Sequence, residues 1–154
     1  MDDHQSFTKN TERLTASHLA DVAQLEELCF AEPWSKSSLA LLLGDGGVGF
    51  VVTEEGRAVA YGGMLTVLDE GQITNVAVHP ERRRLGYGRR IAKALLAYAE
   101  ERGLATVSLE VRESNAAAIA LYREQGFAVC GKRRGFYRKP TEDALVMIWK
   151  NERV

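Results

Sequence analysis

The sequence predicts an α+β domain with a central mixed, mostly antiparallel, twisted sheet of six to seven strands flanked by about four helices. Three observations lead to this fold class. The 154 residues suffice for one well-buried core. Apolar residues make up 45% and charged residues 27%, as in ordinary globular proteins. The apolar periodicity changes in the order β-α-α-β-β-β-α-β-α-β-β. We therefore expect a flexible N-terminus over residues 1–10 and a single domain over residues 11–150.

Two helices are predicted near the N-terminus, after a short strand over residues 12–15. Ser17 can cap the first helix. Its apolar residues recur at helical spacing and are Leu19, Val22, Leu25, Leu28 and Cys29. Pro33 separates this helix from a second one, which begins at Ser35 and ends at Gly44.

A meander of three strands is predicted to follow. Strands over residues 49–53 and 57–67 flank Glu54-Glu55-Gly56, a sequence typical of a hairpin turn. A third strand covers residues 72–78.

The second half alternates helices and strands before a final antiparallel pair. Gly103 and Gly126 are typical of the residue that follows a helix C-terminus. Ser114 or Asn115 can cap the second helix of this half. The predicted elements are a helix over residues 91–102, a strand over 106–111, a helix up to 125, and strands over 127–133 and 144–150.

The charge balance narrows the class of ligand. A formal net charge of −1 disfavours a general nucleic-acid binder, which is usually clearly basic. Arginines are nevertheless dense at residues 82–84, 89–90 and 133–134. Local cationic patches on a nearly neutral chain favour a small anionic ligand.

No metal, membrane or secretory feature is expected. His4, His18 and His79 are scattered, so no metal site is predicted. No apolar run reaches membrane-spanning length, and the acidic, polar start is unlike a secretory signal. Cys29 and Cys130 could form one disulfide, but two buried thiols in a reducing compartment are favoured. We therefore expect a cytoplasmic protein.

The most informative motif is a cationic, glycine-containing loop between a strand and a helix. The apolar residues 76–78 lead into arginines 82–84, then Gly86 and Gly88, and then the helix that begins at Ile91. Glycines allow close approach of the backbone, and a helix N-terminus attracts anions through its free N–H groups and dipole. The motif therefore predicts a phosphate-binding site.

Two nucleotide-binding motifs fit this loop poorly. The dinucleotide motif G-x-G-x-x-G would need a third glycine where Ile91 stands. The Walker motif G-x-x-x-x-G-K-[ST] is absent.

The loop reads Arg83-x-x-Gly86-x-Gly88, which resembles the Q/R-x-x-G-x-G/A pyrophosphate motif of the GNAT family of N-acetyltransferases. The preceding x-N-x-A-V strand and the following helix fit the same pattern. The resemblance implies that acetyl-CoA binds with its pyrophosphate on the loop amides and its pantetheine arm beside the strand. The implied cofactor-binding residues are Val76, Ala77, Val78, Arg83, Arg84, Leu85, Gly86, Tyr87, Gly88, Arg89, Asn115 and Ala118.

A second block, residues 109–127, resembles the GNAT branch of ribosomal-protein alanine N-acetyltransferases. It contains the pattern L-E-V-R-x-S-N-x-x-A-I-x-L-Y-x-x-x-G-F. Residues 32–35 (E-P-W-S) and 142–147 (E-D-A-L-V-M) match the same branch, so the resemblance spans roughly residues 14–147. It implies direct acetyl transfer, without an acyl-enzyme, to the N-terminal alanine of a small-subunit ribosomal protein.

The same resemblance implies the catalytic roles. Glu110 would act as general base toward the acceptor α-ammonium, whose pKa is about 8. Tyr122 would act as general acid toward the departing thiolate, and the backbone N–H groups of residues 76–78 would polarise the thioester carbonyl. Asn115 would hydrogen-bond the pantetheine arm.

The acceptor side is implied to lie between the first helices and the last hairpin. The implied substrate-binding residues are Trp34, Arg134 and Tyr137, with Pro33 beside them. Phe136 departs from the family, which often has a second tyrosine at this position, and this change removes one hydroxyl group.

Three functional hypotheses stay open from the sequence. The first is N-terminal acetylation of a ribosomal protein. The second is a GNAT enzyme that acetylates a lysine side chain or a small-molecule amine. The third is a non-catalytic acyl-CoA binding module, which the presence of Glu110 and Tyr122 disfavours.

Overall fold

The computed structural model describes residues 9–154 and contains a single seven-stranded sheet within that range. The strands are β1 (Lys9–Arg13), β2 (Gly47–Glu54), β3 (Arg57–Val67), β4 (Glu70–Val78), β5 (Thr106–Arg112), β6 (Ala128–Arg138) and β7 (Thr141–Lys150). Their order in the sheet is β1-β2-β3-β4-β5-β7-β6, and β4 with β5 is the parallel pair among antiparallel ones. The predicted fold class is confirmed.

Four α-helices cover the two faces of the sheet in the described part of the chain. They are α1 (Leu19–Cys29), α2 (Lys36–Leu39), α3 (Tyr87–Glu101) and α4 (Ala116–Glu124). Alternate residues of the strands point to opposite faces, which creates two cores. Val51 and Tyr61 pack with the residues of α1 and α2, whereas Val52 and Ala60 pack with those of α3.

The feature that positions the site is the divergence of β4 from β5. These strands pair only where Glu70–Gln72 lies beside Thr106–Ser108. Beyond Gln72, β4 bulges against β3, because two of its residues lie opposite Gly63. The C-terminal half of β4 therefore has an edge without a β5 partner.

The backbone groups at this edge have a defined direction. The bond from His79 N to Val59 O, 2.8 Å long, fixes the alternation of the β3–β4 ladder. Because bonded and non-bonded pairs alternate in an antiparallel ladder, the backbone groups of Val76 and Val78 point away from β3. They face the space left by β5.

Several predicted boundaries shift. β1 begins at Lys9, so Lys9 and Asn10, which were predicted to be flexible, belong to a strand. The rest of that predicted segment, residues 1–8, lies outside the described residues. Thr15, not Ser17, begins the first helical turn, where Thr15 N donates to Nδ1 of His18 at 2.9 Å. Helix α3 begins at Tyr87 rather than Ile91, since Gly86 has the left-handed conformation that precedes it.

Three side-chain predictions also need correction. Leu28 is exposed, because it points away from the helix face on which Val22, Leu25 and Glu26 are buried. Cys130 is exposed on β6, which is an edge strand, and Cys29 is half-buried; both thiols are free.

Within residues 9–154, no helix is long and apolar enough to cross a bilayer.

Candidate active site

A groove of about 770 Å³ lies between the free edge of β4 and the N-termini of α3 and α4. We call it the donor groove. It brings together most of the predicted cofactor-binding residues, namely Val76, Ala77, Val78, Arg83, Arg84, Gly86, Tyr87, Gly88, Arg89, Asn115 and Ala118. Leu85 does not line it, and its side chain is half-exposed.

The N-terminus of α3 has the geometry of an anion site. Gly86 has φ of 82° and no side chain caps the helix. The N–H groups of Gly86, Gly88 and Arg89 have no acceptor within residues 9–154. Unsatisfied N–H groups at a helix N-terminus bind phosphate groups well. A Cβ on Gly88 would lie 3.3 Å from Cδ2 of Leu121, so the first turn of α3 packs tightly against α4.

The loop arginines are largely held by protein groups. Arg89 donates to both carboxylate oxygens of Glu124, at 2.5 and 3.0 Å. Arg83 donates to the carbonyl of Val78 at 3.3 Å. Arg84 has no ion pair or hydrogen bond within residues 9–154, so it is the loop cation that is left for a ligand. Backbone N–H groups therefore dominate this anion site.

Asn115, one of the two residues predicted to cap α4, does cap it. Its Oδ1 accepts a hydrogen bond from the N–H of Ala118 at 3.1 Å and so caps α4. The side-chain amide N–H groups then remain available toward the donor groove, which Asn115 lines.

A second groove, of about 590 Å³, lies on the other side of the β4 bulge. We call it the acceptor groove. Of the predicted residues, it contains Glu110, Trp34 and Tyr137, and it also contains Gln72 and Asn75, which the sequence analysis missed. Arg134 does not line it. Its neighbour Arg133 does not line the groove either, but it pairs with Oε2 of Glu110, which does.

Glu110 is held from two strands. Its Oε1 accepts a hydrogen bond from Nε2 of Gln72 at 3.2 Å, and its Oε2 pairs with Nη1 of Arg133 at 3.1 Å. Only 16% of the side chain is exposed. Neither partner could be identified from local sequence, since one belongs to β4 and the other to β6.

Tyr122 lies in the core but lines the donor groove. Its ring packs edge-on against Phe127, with centroids 5.5 Å apart. Burial raises the pKa of Tyr122 well above that of a free phenol, and nearby Tyr137 raises it further. The hydroxyl group is therefore protonated at any physiological pH.

The two grooves share one strand as their wall. Residues 72–75 of β4 line the acceptor groove, and residues 76–78 line the donor groove. Cys29 and Phe30, at the end of α1, line both. Two molecules bound in these grooves would meet beside β4, close to the Glu110 side chain on one side and Tyr122 on the other.

Comparison with known proteins gives consistent matches over nearly the whole chain. The model of the acetyltransferase (GNAT) family matches residues 19–127. The chain is 40% identical over 138 residues to the ribosomal protein bS18-alanine N-acetyltransferase of Escherichia coli K12, which covers 87% of this chain and 92% of that protein. The Salmonella typhimurium protein of the same name is 38% identical over the same shares of the two chains.

A solved structure agrees with these matches. The crystal structure of the ribosomal-protein-S18-alanine N-acetyltransferase from Escherichia coli superimposes with a TM-score of 0.85 at 36% identity. The superposition covers 95% of this chain and 98% of that one.

Proposed function

Because the chain belongs to the GNAT family of acetyltransferases, we propose that it transfers the acetyl group of acetyl-CoA to the N-terminal α-amine of a ribosomal protein that begins with alanine. The acceptor is inferred from relatives that are named for alanine acetylation of bS18. One observation carries the proposal: a single strand, β4, forms the wall of both grooves. The proposed acceptor would place the enzyme in the cytoplasm, and the catalytic domain would span residues 11–150.

The donor groove supports binding of acetyl-CoA at two points. The free N–H groups of Gly86, Gly88 and Arg89 would hold the pyrophosphate. The thioester arm would lie along the free edge of β4. There the carbonyl of Val78 already accepts bonds from Arg83 and Cys29, so the N–H groups of Val76 and Val78 are the ones left to polarise the thioester carbonyl.

Glu110 would prepare the nucleophile. An α-ammonium must lose a proton before it can attack, and a carboxylate within the acceptor groove can accept that proton directly or through a water. The bonds from Gln72 and Arg133 fix the Glu110 carboxylate in position for this step.

Tyr122 would assist departure of the sulfur. The amine attacks the thioester carbon, the C–S bond breaks, and negative charge develops on the sulfur. A phenol whose pKa is raised by burial always carries its proton, so it can donate a hydrogen bond to that sulfur. Tyr122 would pass its proton to the departing sulfur and regain one from the attacking nitrogen, so CoA leaves as the thiol and the acceptor amine becomes an amide.

The test is a panel of peptides that differ only in their first residue, incubated with acetyl-CoA and analysed by mass spectrometry. One further peptide has a blocked N-terminus and a free lysine. We expect acetylation at the α-amine, fastest for alanine. Modification of lysine alone would assign the enzyme to a different acceptor. Binding of acetyl-CoA without transfer to any amine would indicate a binding module.

A further inference from the structure

Glu26 is a fully buried carboxylate that the proposed chemistry does not use. It lies on the apolar face of α1, next to Leu25, and none of its surface is exposed. Burial of a charged group is costly unless the group is fully hydrogen-bonded. The position therefore needs a structural or functional reason.

Its hydrogen bonds come from three separate parts of the fold. Oε1 accepts a bond from the backbone N–H of Trp34 at 2.8 Å, in the segment after α1. Oε2 accepts a bond from Nδ2 of Asn75 at 2.9 Å and another from the hydroxyl of Tyr61 on β3. A carboxylate is an acceptor only, so all three donors are satisfied together.

Two of these donors belong to one groove. Trp34 and Asn75 both line the acceptor groove, and neither lines the donor groove. Asn75 lies in the β4 bulge, where the neighbouring hydroxyl of Thr74 is buried without a partner in the described part of the chain. The Asn75–Glu26 bond is thus a side-chain contact that holds the bulge, and Trp34–Glu26 holds the opposite wall.

We propose that Glu26 is a positioning residue that sets the width of the acceptor groove by tying the Trp34 segment to the β4 bulge. This inference rests on the proposed function, because it assumes that the acceptor amine enters between these two walls. Loss of Glu26 should then weaken the use of the acceptor and leave the use of acetyl-CoA intact.

The test is Glu26→Gln, with Glu27→Gln as the matched control. An amide has one oxygen that accepts and one NH2 group that only donates, so it cannot accept from Trp34 N–H on one side and from the two donors at Oε2 on the other. Glu27 is exposed on the same helix, and its replacement removes the same charge. We expect the KM for the acceptor peptide to rise about tenfold or more in Glu26→Gln, since small displacements in a site are costly. The KM for acetyl-CoA should stay within about threefold, and Glu27→Gln should match the wild type.

The outcomes separate the inference from the proposed function. If the wild type acetylates a different amine, the proposed acceptor fails, and the same comparison is made with that amine. If the wild type is active but Glu26→Gln leaves both KM values unchanged, or raises both equally, the positioning role is wrong. Should Glu26→Gln fail to fold, Tyr61→Phe is used instead, because it removes a single donor to Glu26. A rise in the KM for the acceptor alone supports the positioning role, and the absence of such a rise refutes it.

Discussion

Glu110 and Tyr122 occupy opposite kinds of environment, and each suits its proposed role. Glu110 is partly exposed to the acceptor groove and anchored by Gln72 and Arg133. Tyr122 lies among apolar side chains, and this burial raises its pKa. A carboxylate near solvent can pass on a proton, whereas a buried phenol stays protonated until the departing thiolate needs a proton.

Conservative changes at these two residues should therefore affect turnover and leave binding intact. We expect Glu110→Gln and Tyr122→Phe each to lower kcat by about 10² to 10⁴-fold, the usual contribution of a positioned proton-transfer group. The Kd for acetyl-CoA, measured by calorimetry, should change little. Because the pKa of Tyr122 is raised above its usual value of about 10, no loss of wild-type rate below pH 10 should come from its ionisation.

Tyr98→Phe provides the control for this prediction. Tyr98 is buried on α3 and lines neither groove, so its replacement removes the same hydroxyl group without touching the site. If Tyr122→Phe retains as much turnover as Tyr98→Phe, the role assigned to Tyr122 is wrong.

Some residues of the site could not be recognised from local sequence, because their contacts depend on the direction in which a side chain points. Glu26 was not singled out because only apolar residues were counted in the helical pattern, although Val22 and Leu25 place it on the buried side. Arg133, which pairs with Glu110, was not singled out either, because that contact depends on which way a strand residue turns. Side-chain direction on a strand follows from its register with the next strand, which no local pattern contains.

At the scale of elements, the loop before α3 contains two residues in the left-handed conformation, Arg84 and Gly86. Gly86 has φ of 82°, in a region that costs other residues about 1 kcal/mol or more. This conformation turns the loop N–H groups toward the donor groove. The short motif could be read from sequence because glycine is required there for a conformational reason.

Gly86→Ala should therefore weaken binding of acetyl-CoA, and Gly56→Ala is the matched control. Gly56 has φ of 84° in the β2–β3 turn and lines neither groove. Both variants should lose about 1 kcal/mol of unfolding free energy from the same backbone strain. Only Gly86→Ala should also raise the KM for acetyl-CoA, by about tenfold, because the loop amides would be displaced. Equal KM values in the two variants would show that the loop does not bind the donor.

The other elements agree with their sequence-based predictions to different degrees. The β2–β3 hairpin was predicted closely because its turn residues and alternation agree. The second helix was predicted as one element, but its last residues form a 3₁₀ turn over Ala40–Leu43. Periodicity does not distinguish a short α-helix from a tightened turn.

At the scale of the whole molecule, the family resemblance drawn from motifs is confirmed, and so is the fold class. The loop motif ends at Gly88 and the second block begins at Leu109, yet both reach the donor groove because β4 diverges from β5. That divergence could not be predicted from periodicity alone, since it depends on where strand pairing stops. The bulge in β4 that separates the two grooves has the same origin.

The central claim is that donor and acceptor bind together on the two halves of β4 and that the acetyl group passes directly between them. Cys29 lines both grooves, so an acyl-enzyme on its thiol is the real alternative. The most direct test is the initial rate measured at several fixed concentrations of an N-terminal alanine peptide while acetyl-CoA is varied. Direct transfer predicts double-reciprocal lines that intersect, because both substrates must be bound at once. Parallel lines, the pattern of a ping-pong mechanism with a covalent intermediate, would contradict the account.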